Sequence, residues 1–326
     1  MWQNASLDKP VGAYGRMPLL KIMDQVFVIA ERIVIYSVLI SALYALVALG
    51  FTMIFGVGRV LNLAHGAFLM VGAYTAWFAQ QYLHWNLYSA FALAVVVCTL
   101  LGIVLYHGLV RHVQRSPIVT LIATLACALL IEELIKIFFT TNTQLLAPFV
   151  SGSVEIHKTT VITNRIIAFG ASWLAILLFW LFVHRARWGK VILATAQDQE
   201  GAALVGIDVK KVYTLTWAIS GALAGIAGFF FASWVKLDPF MWRDPLIISF
   251  AIVVVGGLGS LKGSIVAAYL IGFLEVLMTY SPSVRVCAAD FRCFEFLGSS
   301  WVGVSSLLVL IAILFIKPEG LFGRTE

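Results

Sequence analysis

Two polar side chains, Asn62 and His65, stand close together in a strongly apolar part of the sequence. A neutral imidazole and a carboxamide each offer both a donor and an acceptor, so the pair could contact a polar solute. Polar groups at membrane depth usually face a cavity or another helix. We therefore expect Asn62, His65 and the adjacent Gly66 to border a solute pathway. The alternative is that both side chains satisfy local backbone groups, and no metal site is expected because His65 has no second ligand nearby.

Charged residues interrupt two further apolar runs, at Glu132, Glu133 and Lys136 and at Glu275. Residues three and four apart are neighbours on a helix, so Lys136 can pair with both glutamates. Pairing lowers the cost of keeping charge in lipid. A local ion pair near the outer interface is expected, with a role at an outer vestibule as the alternative. Glu275 stands alone, so it needs a partner or water and is a further candidate for the pathway.

The elements that must position these residues are membrane helices. The chain has 326 residues, of which 61% are hydrophobic and 12% charged, whereas soluble domains have about 25% charged residues. A spanning helix needs about 20 apolar residues. We predict an all-α polytopic membrane protein of about ten segments, near 28–50, 51–64, 66–82, 88–110, 117–141, 165–184, 213–234, 245–257, 262–280 and 300–317. One transmembrane domain, 28–320, then lies between an arm, 1–27, and a tail, 321–326.

Two of these predicted segments are short and end in glycines. The segment 51–64 contains Gly56 and Gly58, and the segment 245–257 leads into Gly256, Gly257 and Gly259. Short segments interrupted by glycine often mark broken helices that line a pathway. Broken backbone must be buried in protein or face a watery cavity. We therefore predict helix breaks and a cavity at both places.

A polar loop at 185–211 has the features of a short helix that could contact a partner. Asp198 is a favourable N-cap, and Gln199 and Glu200 suit the positive end of a helix dipole. Gly206 suits a C-cap. Small residues leave one face flat, at Gly201, Ala202 and Ala203. Such a helix could dock into a groove on a partner, or it could merely join two spans.

The distribution of basic residues predicts an orientation. Ten crossings from a cytoplasmic amino terminus place 15 of the 22 basic residues inside, which agrees with the positive-inside rule. Both termini and the loop 185–211 are then cytoplasmic, and 140–164 lies outside. Cys287 and Cys293 also fall outside, on an oxidising side where a disulfide can form. Two free cysteines are the alternative, because sequence spacing cannot fix their Cα distance.

Several motifs together resemble the branched-chain amino acid permease family of ABC importers, and the LivH-type subunit in particular. They are Arg59-Val-Leu-Asn-Leu-Ala-His-Gly66, Gly72-Ala73-Tyr74, Gly189 through Gly206-Ile207, Gly256-Gly257-Leu258-Gly259-Ser260, and Lys317-Pro-Glu-Gly-Leu-Phe-Gly323. Within the third, Glu200-Gly201-Ala202 followed after three residues by Gly206 resembles the coupling loop of ABC importer permeases. The resemblance runs from about residue 30 to 323. It implies that the residues from Asp198 to Ala203, with Gly206 and Ile207, couple the permease to an ATPase.

The resemblance also implies partners: a LivM-type second permease, two cytoplasmic ATPases and a periplasmic binding protein, in a bacterial inner membrane. The chain has no phosphate-loop motif, so ATP and magnesium are expected on the ATPases, and no cofactor or catalytic residue is expected here. The implied solute is a branched-chain amino acid, with urea, amides and aromatic acids as alternatives. An ion-coupled secondary transporter is the rival class, and an intramembrane enzyme is not expected.

Overall fold

The computed structural model describes residues 19–232, 234–280, 285–287, 293–295 and 303–323. The helices are α1 (Leu19–Gly58), α2 (His65–Gln81), α3 (Leu87–Leu105), α4 (Arg111–Val113), α5 (Pro117–Phe139), α6 (Thr163–Arg185), α7 (Arg187–Gln197), α8 (Gln199–Leu204), α9 (Val209–Phe231), α10 (Arg243–Gly256), α11 (Leu261–Tyr280) and α12 (Val304–Ile316). A π-helical turn, Tyr106–Val110, joins α3 to α4. Two antiparallel hairpins pair β1 (Ser153–Ile156) with β2 (Thr159–Ile162) and β3 (Arg285–Cys287) with β4 (Cys293–Glu295).

Six of the described helices are long and apolar enough to cross a membrane: Val26–Gly58 of α1, Leu87–Val113, α5, α6, α9 and α11. The predicted all-α polytopic architecture is therefore confirmed. One predicted segment is wrong, because residues 51–58 continue α1 instead of starting a second span. Gly50 lies at the expected boundary, but it is needed for packing: a Cβ there would lie 2.7 Å from the His65 ring.

α1 and α11 pack antiparallel along most of their length. The rings of Tyr36 and Tyr280 stack with centroids 5.5 Å apart, and a Cβ on Gly272 would meet Ser41. Further along, the hydroxyls of Thr52 and Ser264 are 2.6 Å apart. Small and hydroxylated residues thus let two membrane helices approach closely, as is common where lipid supplies no hydrophobic drive for association.

α9 packs against α3 through Gly221 and Gly225. A Cβ on Gly221 would lie 2.2 Å from the carbonyl oxygen of Cys98, and one on Gly225 would lie 3.1 Å from that of Ala94. Glycines spaced four apart thus let the two helices approach closely. This packing sets the large, buried helix α9 at the centre of the bundle, against α1, α2 and α3.

The bundle has two distinct ends. At the hairpin end, the start of α1 meets β1 and β2: Glu31 contacts His157, and the Tyr36 hydroxyl donates to the carbonyl of Thr160. At the loop end, α7 and α8 meet the end of α1. The start of α1 and the loop 185–211 thus lie at opposite ends of the bundle, because α1 crosses once where the sequence predicted two crossings. The side on which the arm 1–27 lies stays a prediction. Residues 1–18 lie outside the described residues.

The backbone register of the second hairpin places Cys287 directly opposite Cys293. Directly paired residues of antiparallel strands have Cα atoms about 4.5–5.5 Å apart, a separation that a disulfide can bridge. The two side chains lie outside the described residues, so the disulfide stays a prediction.

Candidate functional site

α10 is a short helix with one face partly open in the part of the chain that the structure describes. Its 14 residues span about 21 Å at 1.5 Å per residue, which is less than the roughly 30 Å hydrocarbon core. Its other face is buried against α1 and α11. We call the partly open face the α10 stripe: Arg243, Asp244 and Ile247 are exposed, and Phe250 and Val254 are half-buried. A membrane-embedded helix with a polar start and an open face is a candidate wall of a solute pathway.

The start of α10 is fixed to α5 by a buried carboxylate. Glu132 is 3% exposed, and its two oxygens lie 2.9 and 3.0 Å from Nη2 of Arg243. Nε of Arg243 donates to the same carboxylate at 3.3 Å, and Nε1 of Trp242 donates at 2.7 Å. Hydrogen bonds between charged groups are about twice as strong as neutral ones. We call Glu132, Trp242, Arg243 and Lys136 the carboxylate latch.

The sequence predicted only the local part of this latch. Nζ of Lys136 lies 3.4 Å from Glu132 and 2.5 Å from Glu133, which confirms the predicted ion pairs. Trp242 and Arg243 were missed, because they lie about 110 positions away in the chain. The available signal was the arginine itself, an isolated cation at the start of a predicted span.

The end of α10 is held by main-chain contacts with residues 317–323, which we call the C-terminal clamp. The amide of Leu321 donates to the carbonyl of Val255 at 2.8 Å, and that of Phe322 donates to Gly256 at 3.1 Å. These bonds satisfy carbonyls that a helix end leaves free. Gly257 has φ +100°, and a Cβ there would lie 2.5 Å from the Gly323 nitrogen. Residues 321–323, expected to be a tail, thus bond to α10.

A groove of about 660 Å³ opens beside the clamp at the loop end. Its walls come from α1, α7, the α10–α11 turn and the clamp: Phe55, Gly56, Arg59, Leu193, Ala196, Gln197, Leu258, Gly259, Ser260, Phe322 and Gly323. Gly56 and Gly259, two of the glycines at the predicted breaks, face each other here. The others pack closely: Gly58 against Tyr213, Gly256 against Gly263, and Gly257 against the clamp.

His65, Asn62 and Gly66 are buried at the start of α2. Nε2 of His65 lies 3.0 Å from the carbonyl of Val47, and Nδ1 lies 3.2 Å from the Ser220 hydroxyl. Oδ1 of Asn62 accepts from the amide of Ala64 at 3.0 Å, whereas Nδ2 lacks a partner among the described residues. A Cβ on Gly66 would clash with the carbonyl of Trp242. These contacts favour the packing alternative, and a pathway role stays a prediction.

α7 and α8 form a folded loop beneath the bundle. Gly189 lets α7 turn back against α6, since a Cβ there would lie 2.1 Å from the carbonyl of Phe182. The predicted caps of α8 are confirmed: Oδ1 of Asp198 accepts from the amide of Glu200 at 3.0 Å, and Gly206 has φ +87°. Nε2 of Gln199 donates to the carbonyl of Val57 at 2.5 Å, which ties α8 to the end of α1.

The cap of α9 carries a perturbed carboxylate. Oδ1 of Asp208 accepts from the amides of Lys210 and Lys211 at 3.1 and 3.3 Å. The amide of Lys211, and then its ammonium group, hold the pKa of Asp208 below its ordinary value. A depressed carboxyl pKa means that this cap is ionised at neutral pH and stabilises the fold there, and that the contribution is lost as pH falls through the lowered pKa.

The exposed face of α8 differs from the predicted one. Ala202 is 5% exposed and packs inward, and a Cβ on Gly201 would clash with Asp198. The exposed surface is made by Leu204 and Val205, which are 88% and 77% exposed. Of the predicted flat face, Ala202 is buried, Gly201 is half-buried and Ala203 is exposed, so docking through this face stays a prediction. Two apolar residues ending a polar loop were the missed signal.

No group of three or more histidine, cysteine, aspartate or glutamate side chains is placed to hold a metal in the part of the chain that the structure describes.

Comparison with known families and proteins gives a consistent result. A family described as "Branched-chain amino acid transport system / permease component" matches residues 33–316. A probable branched-chain amino acid transport permease protein LivH from Methanocaldococcus jannaschii is 30% identical, over 90% of this chain and 93% of that protein. The LivH permease protein of Escherichia coli is 25% identical over 89% of this chain and 94% of its own. The LivM permease protein of Escherichia coli is 23% identical over 88% of this chain and 69% of that protein.

Proposed function

Because this chain belongs to the family of permease components of branched-chain amino acid transport systems, we propose that it is the LivH-like half of an ATP-driven importer. It forms one side of a pathway through the membrane and performs no covalent chemistry. Its solute is a branched-chain amino acid or a related small zwitterion. LivH proteins from bacteria and an archaeon support this assignment at 25–30% identity over about 90% of this chain.

The observation that carries the proposal is the exposed apolar tip of α8. Leu204 and Val205 project from a charged loop, where two such side chains have no favourable exposed environment. The same loop is tied to the end of α1 by Gln199 and to α6 by Gly189. A partner that covers Leu204 and Val205 can therefore push on the bundle. An ATPase subunit is the partner that this family of systems requires.

The α10 stripe is the proposed wall of the pathway. It runs from the carboxylate latch to the groove beside α7, so it links the hairpin end with the loop end. In this arrangement the loop end faces the cytoplasm, and the hairpin end with the start of α1 faces the outside. ATP-driven closure and opening of the ATPases would then expose the two ends of the stripe in turn.

The assembly needs four further subunits. A LivM-like permease would cover the open α10 stripe, two ATPases would bind ATP and magnesium, and a binding protein would deliver solute at the hairpin end. The similarity of this chain to a LivM protein fits a pore built from two related permeases.

The test replaces Leu204 and Val205 together with serine in the reconstituted complex. We expect ATP-driven leucine uptake to fall at least about tenfold, because fully burying a leucine or valine side chain contributes about 1.5–3 kcal/mol. Membrane insertion should be unchanged, since both side chains are exposed. Leu145→Ser, a 72% exposed leucine in the segment before β1, is the matched control. Normal coupled uptake in the double variant would contradict the proposal.

A further inference from the structure

A buried carboxylate in α11 lacks a full set of partners. Glu275 is 7% exposed, and its Oε2 atom has no hydrogen-bond partner within the described part of the chain. α11 is one of the six long apolar helices, so Glu275 lies in a membrane-spanning segment. An unsatisfied polar group costs several kcal/mol in such surroundings. Ionisable residues inside membrane segments usually mark a solute or ion pathway.

Other oxygen atoms converge on this carboxylate from α1. Tyr44, on the α1 face that packs against α11, is buried like Glu275, at 6% exposed. Ser41, one turn away from Tyr44, is fully buried, and its Oγ also has no partner among the described residues. Helical side chains tilt toward their own amino terminus. Because α1 and α11 are antiparallel, Tyr44 and Glu275 tilt toward each other, at the level where Ser41 contacts Gly272.

A second carboxylate, at an exposed position on the α10 stripe, connects this cluster with the proposed pathway. Asp244, in the first turn of α10, is exposed. α10 and α11 run antiparallel and meet at Gly256 and Gly263, so Asp244, twelve residues before Gly256, lies at the level of Glu275, twelve residues after Gly263. Among the described residues, no ion pair joins Glu275 to a basic side chain. Arg243 is turned toward Glu132 in the carboxylate latch. The cluster therefore offers two carboxylates, two hydroxyls and no cation, which suits a positively charged ligand that carries hydrogen-bond donors.

We propose that Asp244, Glu275 and Tyr44 form a binding site for the primary ammonium group of the solute. This site rests on the proposed function for the identity of its ligand. An alkylammonium group carries a full positive charge and three N–H donors. One donor can bind the free oxygen of Glu275, and another can bind Asp244.

The surroundings match the rest of an amino acid zwitterion. The bonds of Arg243 to Glu132 use Nε and Nη2, which leaves Nη1 without a partner among the described residues, and the side chain is 51% exposed. A guanidinium with free N–H groups is a good carboxylate ligand. One turn along the stripe, Ile247 and then Phe250 offer apolar surface for a branched side chain.

The experiment measures protection of a thiol in the complete complex without its binding protein. Ile247→Cys is introduced, and its alkylation by a small water-soluble maleimide is followed by mass spectrometry at that position. Leucine and isoamylamine, which keep the ammonium group, should slow alkylation, whereas isocaproate, which lacks it, should not. Adding Glu275→Gln should raise the leucine concentration needed for protection at least about tenfold, since hydrogen bonds to charged groups are strong. Asp244→Asn should act in the same direction.

Glu155→Gln is the matched control, because Glu155 is an exposed glutamate on β1. The inference is overturned if Glu275→Gln and Asp244→Asn both leave leucine protection unchanged. It is also overturned if sodium ions protect the thiol as well as isoamylamine does. Failure of the proposed function has a different signature: the unmodified complex does not take up leucine with ATP, while isoamylamine still protects in a manner that depends on Glu275.

Discussion

At its start, α10 is held by side-chain charge, through Glu132, Arg243 and Trp242, whereas at its end it is held by main-chain bonds to the C-terminal clamp. The first contact joins α10 to α5, a helix with few other contacts in the bundle. The second joins it to residues that also line the groove beside α7. The two ends of one helix are therefore attached to different parts of the molecule.

This difference indicates how α10 could work. The main-chain bonds between the end of α10 and the clamp fix their relative position. The end of α10 must therefore move together with the clamp and the groove. Arg243 is 51% exposed, so its guanidinium can exchange bonds to Glu132 for bonds to water or to a solute, while Trp242 still donates to the buried carboxylate. We therefore expect the clamp to act as a fixed attachment and the latch as a contact that opens and closes.

The largest effect is expected at the clamp, from Gly257→Ala. The residue has φ +100°, and its new Cβ would lie 2.5 Å from the Gly323 nitrogen. A strained backbone costs about 1–3 kcal/mol, and overpacking adds a similar amount. Leucine uptake should fall more than tenfold, and the melting temperature of the complex should fall with it. Gly170→Ala is the control, because nothing lies within 4 Å of a Cβ there. Equal uptake in the two variants would mean that the clamp is not needed.

An intermediate effect is expected at the latch, from Glu132→Gln. The substitution keeps the shape of a 3% exposed side chain but removes the charge that binds Arg243. Hydrogen bonds between charged groups contribute about 1.5–3 kcal/mol, so uptake should fall about tenfold. A double-mutant cycle with Arg243→Gln should give a coupling energy in that range. Additive effects, within about 0.5 kcal/mol, would show that the two residues act independently.

The smallest effect is expected at the lysine of the latch, from Lys136→Met. Nζ of Lys136 is 3.4 Å from Glu132, and its other partner, Glu133, is 62% exposed. Exposed ion pairs contribute about 0–1 kcal/mol. The uptake rate should therefore change by less than about threefold, and the melting temperature should change little. A loss of uptake as large as that of Glu132→Gln would mean that Lys136, and not Arg243, is the main partner of Glu132.

The same comparison shows which contacts a sequence can reveal. Apolar runs predicted membrane helices, and local side-chain rules predicted the Glu132–Lys136 pair and the caps at Asp198 and Gly206. The bonds of Arg243 to Glu132 were out of reach, because the two residues are far apart in the chain. The clamp was out of reach for another reason: its bonds use main-chain amides, which every residue type except proline carries.

One misplaced boundary changed the predicted orientation. The predicted span ended at Gly50. In the structure Gly50 lies within a continuous helix, where it makes room for the His65 ring. With α1 crossing once, Arg32 lies at the hairpin end instead of sharing a side with the loop 185–211. The predicted count of basic residues rested on that second crossing, so it no longer selects an orientation.

The most direct test of the account is the accessibility of the α10 stripe in two nucleotide states. Ile247→Cys and Leu258→Cys place thiols toward its start and just beyond its end, both at exposed positions. We predict that a water-soluble thiol reagent modifies them in opposite states, one faster without nucleotide and the other faster after ATP trapping with vanadate. His65→Cys should stay inert in both, because residue 65 is fully buried. The account would be contradicted if the modification rates at positions 247 and 258 do not depend on nucleotide while a thiol at position 65 reacts. The pathway would then lie beside α2.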